Sequence, residues 1–204
     1  MPVLTYIIGS IPFSYILPIW FKGIDTRKVG SRNVGGSNAI RNAGLLVGVA
    51  AGMLDFLKGY VSAQLAIHYN SLFTLSVLAV IVGHCFPIFL KFHGGRGIAP
   101  ALGVLLALFP PAFVFFVIIS GAGILIGEAA LSTFFATLLT PVFFKLFKPE
   151  FTGVVVYISL FLIFRRAFFV IEDVKSGRDP IRSLFNRILF DSPKKERLGM
   201  IFRR

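Results

Sequence analysis

Long apolar segments alternate with short polar stretches along most of the chain. The first apolar segment, residues 3–21, contains no charged side chain, and a polar, basic stretch follows it directly. A bilayer core about 30 Å thick is crossed by about 20 apolar residues in a helix, so that the 204 residues hold roughly five to seven crossings. The pattern predicts an all-α, polytopic integral membrane protein with about seven transmembrane helices, at residues 3–21, 45–68, 72–90, 98–109, 112–126, 130–144 and 151–164.

The composition excludes an ordinary soluble domain and a disordered chain. Hydrophobic residues make up 56% of the chain, charged residues 15%, and the mean hydropathy is +0.83, whereas soluble domains carry about 25% charged residues. The 24 phenylalanines argue against disorder, because disordered chains have low hydrophobicity. One cysteine, Cys85, and three histidines supply no zinc framework. We therefore expect no metal and no cofactor, and no nucleic acid partner.

The distribution of basic residues predicts the orientation in the membrane. The chain has 21 Lys and Arg against 9 Asp and Glu, and these basic residues concentrate in loops 22–41 and 91–97 and after residue 164. By the positive-inside rule these regions are cytoplasmic and the N-terminus lies outside. We predict one transmembrane domain, residues 1–171, and a basic cytoplasmic tail, residues 172–204. The tail is expected to form an amphipathic interfacial helix on anionic lipid, because it mixes Arg182 and Arg187 with Ile181, Leu184, Phe185, Ile188, Leu189 and Phe190.

The first basic loop is rich in glycine, small hydroxyls and amides. Exposed backbone N–H groups converge on an oxyanion where no Cβ intrudes, and an arginine adds a bidentate fork. The same residue types are common in plain solvated turns, so this loop alone specifies no ligand. Its candidate side chains are Ser31, Asn33, Ser37, Asn38 and Arg41.

Two ionisable residues stand inside the second apolar span. Asp55 and Lys58 are three residues apart and therefore share one face of a helix. Such residues face the interior of the bundle or a water-filled cavity. The pair is either a self-neutralising structural pair or part of a substrate site, and the depth of Lys58 in the span keeps the second interpretation open.

The second basic loop combines a histidine with a glycine-lined turn. His84, near the end of an apolar helix, is either a packing residue or a group that orients or deprotonates a substrate. Gly94, Gly95 and Gly97 surround Arg96, and glycines let backbone N–H groups approach an anion that the guanidinium neutralises. The following helix, residues 98–109, is short, so we expect this turn at the N-terminus of a helix that begins below the membrane surface.

Other chemistries lack a motif in this sequence. The spacing of a Walker motif, a Gly-x-Ser-x-Gly elbow and a His-Glu-x-x-His zinc site are all absent. The remaining interpretation is anion recognition at the cytoplasmic membrane interface, where a lipid chain enters from the bilayer and a phosphate compound from water.

In its first half the chain resembles the bacterial acyl-phosphate-dependent glycerol-3-phosphate acyltransferases. The resemblance rests on Gly9-Ser10-Ile11-Pro12, the loop of residues 30–41, Asp55-x-x-Lys58-Gly59, and Gly83-His84-x-Phe86-Pro87 continuing to the glycine turn. It implies a seven-helix enzyme of the bacterial inner membrane, which we expect to be a monomer without a cofactor. It further implies transfer of an acyl group from acyl phosphate to the sn-1 hydroxyl of glycerol 3-phosphate, giving lysophosphatidate and phosphate.

The resemblance also implies roles for single residues. Arg41 is expected on phosphate, and the turn of residues 94–97 is expected to hold glycerol 3-phosphate, with Arg96 where the family usually has lysine. Together with the residue chemistry, the resemblance gives Ser31, Arg41, His84 and Arg96 as candidate catalytic residues. The candidate substrate-binding residues are Asn33, Ser37, Asn38, Lys58, His93, Gly94, Gly95 and Gly97.

The last family motif is altered in this sequence. It carries a histidine and an asparagine in the family, and the register set by Ser176-Gly177 puts Ala167 and Val170 at those two positions. A catalytically impaired paralogue is therefore one alternative interpretation. A small transporter of phosphate compounds or lipids is another, which the ionisable pair inside the second span also suits.

Overall fold

The computed structural model describes residues 1–69, 72–168, 170–175 and 177–190. These residues form α-helices joined by short loops and contain no β-strand. The predicted all-α class is confirmed for this part of the chain. The helices are α1 (Pro2–Ser10), α2 (Phe13–Lys22), α3 (Gly36–Ala43), α4 (Leu45–Tyr69), α5 (Phe73–Cys85), α6 (Ile98–Leu108), α7 (Pro110–Leu125), α8 (Ala129–Phe147), α9 (Thr152–Phe168), α10 (Val170–Lys175) and α11 (Pro180–Phe190).

Five segments of the described residues are long and apolar enough to cross a membrane. They are Pro2–Lys22, Leu45–Tyr69, Phe73–Leu90, Ala129–Phe147 and Pro149–Phe168. Two of the seven predicted segments form the shorter apolar helices α6 and α7. With 11 residues at 1.5 Å each, α6 is only about 16 Å long.

The predicted span 3–21 lies within the candidate span Pro2–Lys22, but it is formed by two helices and not by one. The helix breaks at Ile11 and Pro12, which separate α1 from α2. Proline has no N–H to donate and disfavours the helical conformation of the residue before it, which explains the break. The predicted span 72–90 also ends early as an α-helix, at Cys85, and a short 3-10 turn at Ile88–Leu90 follows Pro87.

The chain divides into two compact units, Met1–Pro110 and Pro111–Arg204. The predicted division at residue 171 stays a prediction, since it concerns the membrane boundary and not these units. In the first unit, glycines let helix backbones approach closely. A Cβ on Gly9 of α1 would collide with the carbonyl of Val80 in α5, and a Cβ on Gly59 of α4 would collide with the carbonyl of Pro100 in α6.

The second unit contains α8 and α9, which pack against each other. Their interface contains a polar contact, because the Ser159 hydroxyl donates to the carbonyl of Thr137 over 3.0 Å. The short helices α10 and α11 follow α9, and α11 packs against both α8 and α9. Residues 191–204 of the predicted tail lie outside the described residues.

Candidate functional site

The first loop is organised around the buried side chain of Asn38. This residue lies in α3, a short helix that the sequence analysis treats as loop, and is 2% exposed. Its amide oxygen accepts hydrogen bonds from the Ser31 backbone and the Asn42 side chain. Its amide nitrogen lies 2.9, 3.2 and 3.1 Å from the carbonyl oxygens of Thr26, Val29 and Asn33. Asn38 therefore shapes the loop, and its polar atoms are occupied by the protein.

The same fold leaves the other candidates of the first loop accessible. Ser31, Ser37 and Arg41 are exposed, and Asn33 is half-buried. Arg41 lies in the last turn of α3. Two hydroxyls and a guanidinium thus remain available to a ligand on a loop whose backbone is fixed from within.

A second anchor of this loop, which sequence reasoning missed, is the pair Asp25 and Arg27. The Arg27 guanidinium donates to both oxygens of Asp25, at 3.0 and 2.8 Å, and to the Tyr15 hydroxyl at 3.1 Å. The hydrogen bond from Arg27 holds the pKa of Asp25 below its ordinary value. These contacts attach the beginning of the loop to α2. Aspartate two residues before arginine is too common a pattern to single them out in the sequence.

The glycine turn of the second loop folds back on the end of α5. The Gly95 N–H donates to the carbonyl of His84 over 3.0 Å. Gly94 lies against the ring of Pro87, where a Cβ would not fit. Gly97 has φ +87° and is the cap that precedes α6. The prediction that this turn stands at a helix N-terminus is therefore confirmed.

The two glycine-containing loops touch each other at Gly95. A Cβ at this position would collide with Nε2 of His84 and would lie 2.5 Å from the carbonyl oxygen of Val34 in the first loop. Loops that are about sixty residues apart in the sequence thus meet beside the buried imidazole. This contact explains why the turn needs glycine here: any side chain would push the two loops apart.

A buried polar network lies beneath this contact. Asp55 of α4 is 1% exposed, and its carboxylate accepts a hydrogen bond of 2.5 Å from the Ser14 hydroxyl of α2. The His84 Nδ1 lies 3.5 Å from the same carboxylate. Asp55 therefore joins α2, α4 and the end of α5. Its neighbour His84 accepts the hydrogen bond from Gly95 that fixes the glycine turn.

Lys58 fills the break between α1 and α2. Its ammonium nitrogen lies 2.7 Å from the carbonyl oxygen of Gly9, 2.8 Å from that of Ile11, and 2.8 Å from Oδ1 of Asp55. The ammonium donates to the two carbonyl oxygens and forms an ion pair with the carboxylate. Of the two interpretations of the pair, the geometry favours the structural one, in which Lys58 satisfies carbonyls that the helix break exposes.

The remaining candidates of the second loop lie closer to the surface. Arg96 is half-buried, and His93 is exposed with its Nδ1 2.7 Å from the carbonyl oxygen of Lys91. Lys91 and Phe92 both have positive φ angles, +51° and +64°, which are uncommon for residues with a side chain. The described residues contain no group of three His, Cys, Asp or Glu suited to a metal ion.

In the second unit, two arginines precede the altered family motif at the end of α9. Arg165 and Arg166 are 3% and 5% exposed. The Arg166 guanidinium donates to the carbonyls of Ala130 in α8 and Ile188 in α11, over 3.1 and 3.0 Å. Ala167, which the sequence resemblance aligns with a histidine of the family, offers no polar side chain.

The fold and the site together define a multi-pass membrane protein with a glycine-lined polar site supported by buried ion pairs. Comparison with known proteins identifies the family within this class. A family model described as glycerol-3-phosphate acyltransferase matches residues 1–171, and the chain belongs to this family.

Relatives with this function are similar over nearly the whole chain. The glycerol-3-phosphate acyltransferase of Thermotoga petrophila is 40% identical over 190 residues, which are 91% of this chain and 97% of the relative. Glycerol-3-phosphate acyltransferase 2 of Thermotoga maritima is 39% identical over the same shares. The similarity to these two relatives therefore covers nearly the full length of both chains.

Two crystal structures of PlsY (YgiH), an integral membrane glycerol 3-phosphate acyltransferase, share the fold. The glycerol 3-phosphate form has a TM-score of 0.76 and 32% identity, covering 87% of this chain and 92% of that one. The lysophosphatidic acid form has a TM-score of 0.74 and 31% identity, covering 87% and 91%.

Proposed function

We propose that this protein transfers an acyl group from acyl phosphate to the sn-1 hydroxyl of glycerol 3-phosphate, producing lysophosphatidate and phosphate. The observation that carries the proposal is the contact of the two loops at Gly95, where the turn lies against Val34 of the first loop. Family membership supports acyl transfer over transport. Arg41 and Arg96 are the proposed phosphate-binding residues, because a guanidinium binds phosphate through two parallel hydrogen bonds.

The proposed reaction needs no covalent enzyme intermediate. The hydroxyl oxygen of glycerol 3-phosphate attacks the acyl carbonyl carbon, the bond from that carbon to the phosphate oxygen breaks, and phosphate leaves. The hydroxyl proton goes to the departing phosphate or to His84. Since acyl phosphate is already an activated anhydride, positioning and charge neutralisation supply the catalysis.

An apolar cavity in the first unit suits the acyl chain. Its volume is about 340 Å³, within the usual range of about 300–1,000 Å³ for ligand sites. Its walls come from the helix break and from the segment that leads into the glycine turn. The lining residues are Ile11, Pro12, Tyr15, Ile16, Phe89 and Leu90.

We further propose that the protein is a monomer of the bacterial cytoplasmic membrane with seven crossings, the N-terminus outside and the C-terminus cytoplasmic. The short helices α6 and α7 would then complete the five longer spans. The basic loops support this orientation by the positive-inside rule.

Phosphate release by purified protein in liposomes tests the reaction. We expect release from acyl phosphate only when glycerol 3-phosphate is present. When acyl-CoA replaces the donor, we expect no lysophosphatidate, which is followed by chromatography of the lipid product because this donor releases no phosphate. Replacing Arg41 by Gln should raise the KM for glycerol 3-phosphate, because a hydrogen bond to a charged group contributes about 1.5–3 kcal/mol. The exposed Lys28 of the same loop provides the control, K28Q. Release without the acceptor, or equal use of acyl-CoA, would contradict the proposal.

The altered last motif favours a second candidate, an impaired paralogue that binds the same ligands. The relevant observation is that Ala167 and Val170 stand where the family has histidine and asparagine. Restoring both residues should then raise turnover at least tenfold. Wild-type turnover that equals that of the double variant would exclude this candidate.

A further inference from the structure

The helix α11 has its polar contacts on one face and its apolar side chains on the exposed one. It lies after residue 171, where the match to the family model ends. Asp179 caps the helix by accepting a hydrogen bond of 2.6 Å from the Arg182 N–H, and Pro180 occupies the first helical position, where proline is favoured. The helix is therefore well defined by its own sequence.

The inner face of α11 is attached to the second unit by polar contacts. Asp173 of α10 is 1% exposed, and its carboxylate accepts hydrogen bonds from Arg187 at 2.7 and 2.8 Å and from Arg178 at 2.6 Å. The Arg166 guanidinium of α9 donates to the carbonyl of Ile188. Arg187, expected on the lipid, is thus used inside the protein.

The outer face carries an apolar stripe beside exposed arginine. Ile181, Leu184 and Phe185 are 81%, 43% and 59% exposed, and their spacing places them on one side of a helix. Arg182 is exposed, and the side chain of Arg178 is 41% exposed. On a helix that faced water, the polar side chains would point outward and the apolar side chains would pack against the protein.

The position of α11 in the second unit indicates what this face meets. Arg166 stands near the end of the candidate span Pro149–Phe168, and its second partner Ala130 stands at the beginning of the candidate span Ala129–Phe147. Both contacts hold α11 at the ends of two spans, the level at which the headgroups of a bilayer lie. The tail also has nine Lys and Arg against five Asp and Glu in residues 172–204.

We propose that α11 lies in the headgroup region of an anionic bilayer, with Ile181, Leu184 and Phe185 inserted among the acyl chains. Arg182, and the nitrogens of Arg178 that do not bond to Asp173, would bind lipid phosphates at the rim. Apolar residues on one face and arginines beside them are the features by which an interfacial helix binds anionic lipid. The polar contacts to Asp173 fix the orientation that turns the stripe outward.

An environment-sensitive fluorophore on a single cysteine tests the proposal in the full-length protein. We suggest Phe185→Cys as the test and Lys28→Cys, in the exposed first loop, as the control, both with Cys85→Ala and both at exposed positions. In vesicles of phosphatidylglycerol and phosphatidylethanolamine, we expect blue-shifted emission at residue 185 and several-fold weaker quenching by an aqueous quencher than at residue 28. Lipids brominated near the headgroup should quench the label at residue 185 more strongly.

The charge of the lipid distinguishes this proposal from simple apolar contact. In phosphatidylcholine vesicles the ratio of inserted to exposed label at residue 185 should fall. The substitution Arg182→Gln should lower that ratio about fivefold in anionic vesicles, as expected for one arginine near a charged surface. Equal quenching at residues 185 and 28 in anionic vesicles would overturn the proposal. So would crosslinking through residue 185 at high dilution in lipid, which would assign the stripe to a second copy of the chain.

Discussion

Replacement of Lys58 by Met separates a structural lysine from a substrate-binding one. The change leaves an apolar side chain of similar length but removes all three donors of the ammonium. The carbonyls of Gly9 and Ile11 and the carboxylate of Asp55 then lose their partner. Because the helix is broken there, backbone N–H groups do not replace it: the Tyr15 N–H bonds to the carbonyl of Pro12 and not to that of Ile11.

The expected loss of stability follows from the burial of the pair. Asp55 and Lys58 are 1% and 4% exposed. Breaking such a buried pair by removing one partner costs about 3–5 kcal/mol, because an uncompensated charge remains. We expect K58M to lose an amount in this range. The double variant with Asp55→Leu removes the stranded carboxylate and should be more stable than K58M, although the two carbonyls stay without their donor.

The assay is unfolding of the detergent-solubilised protein by SDS, followed by far-UV circular dichroism. The exposed Lys22 at the end of α2 gives the control K22M, for which we expect a change within about 0.5 kcal/mol. The glycerol 3-phosphate KM is measured on the folded fraction. Wild-type stability together with a tenfold higher KM would refute the structural reasoning and assign Lys58 to the substrate.

Three further predictions test the loops and the second unit. Gly95→Ala should reduce turnover at least tenfold, because its Cβ would collide with neighbouring atoms, while Gly121→Ala, which has open space, should leave turnover unchanged in the same phosphate-release assay. Asn38→Ala should lower the free energy of unfolding by about 1–3 kcal/mol through unsatisfied buried groups, measured by SDS titration. Hydrogen bonding from Arg187 lowers the pKa of Asp173, so the stability it contributes is complete above the unfolded pKa of about 3.9. That stability should disappear as pH falls through the folded pKa, and Asp173→Asn should abolish this part of the pH dependence in unfolding curves.

The order of the long helices was predictable because each consists of a long apolar run bounded by charged residues or turn residues. Helix α4, with bounds Leu45–Tyr69, differs from the predicted 45–68 by one residue. Helix α3 was not predictable in this way. Its sequence of glycine, serine and asparagine is typical of turns, and its helical form depends on Asn38, whose partners are spread over residues 26–42.

The two polar loops of the site were predictable from the sequence, but the contacts that each side chain makes there were not. Clusters of glycine beside arginine mark the loops in the sequence, because the predicted apolar spans contain no arginine. The partners of a buried side chain carry no such local mark. Ser14, which donates to Asp55, is an ordinary small residue in an apolar run, 41 positions from its acceptor. Tertiary packing alone reveals that this hydroxyl belongs to the support of the site.

The ionisable residues inside the spans are best understood from the irregular backbone around them. A helix that breaks within a bilayer exposes carbonyls that no water satisfies, so a donor from the protein has to replace it. Lys58 supplies that donor, and its charge in turn needs Asp55 nearby. Asp55 also lies beside His84, whose backbone and ring support the turn at Gly95. The helix break, the ion pair and the glycine turn thus depend on one another. A substitution that weakens one of them should also displace the loop contact where the phosphates are proposed to bind.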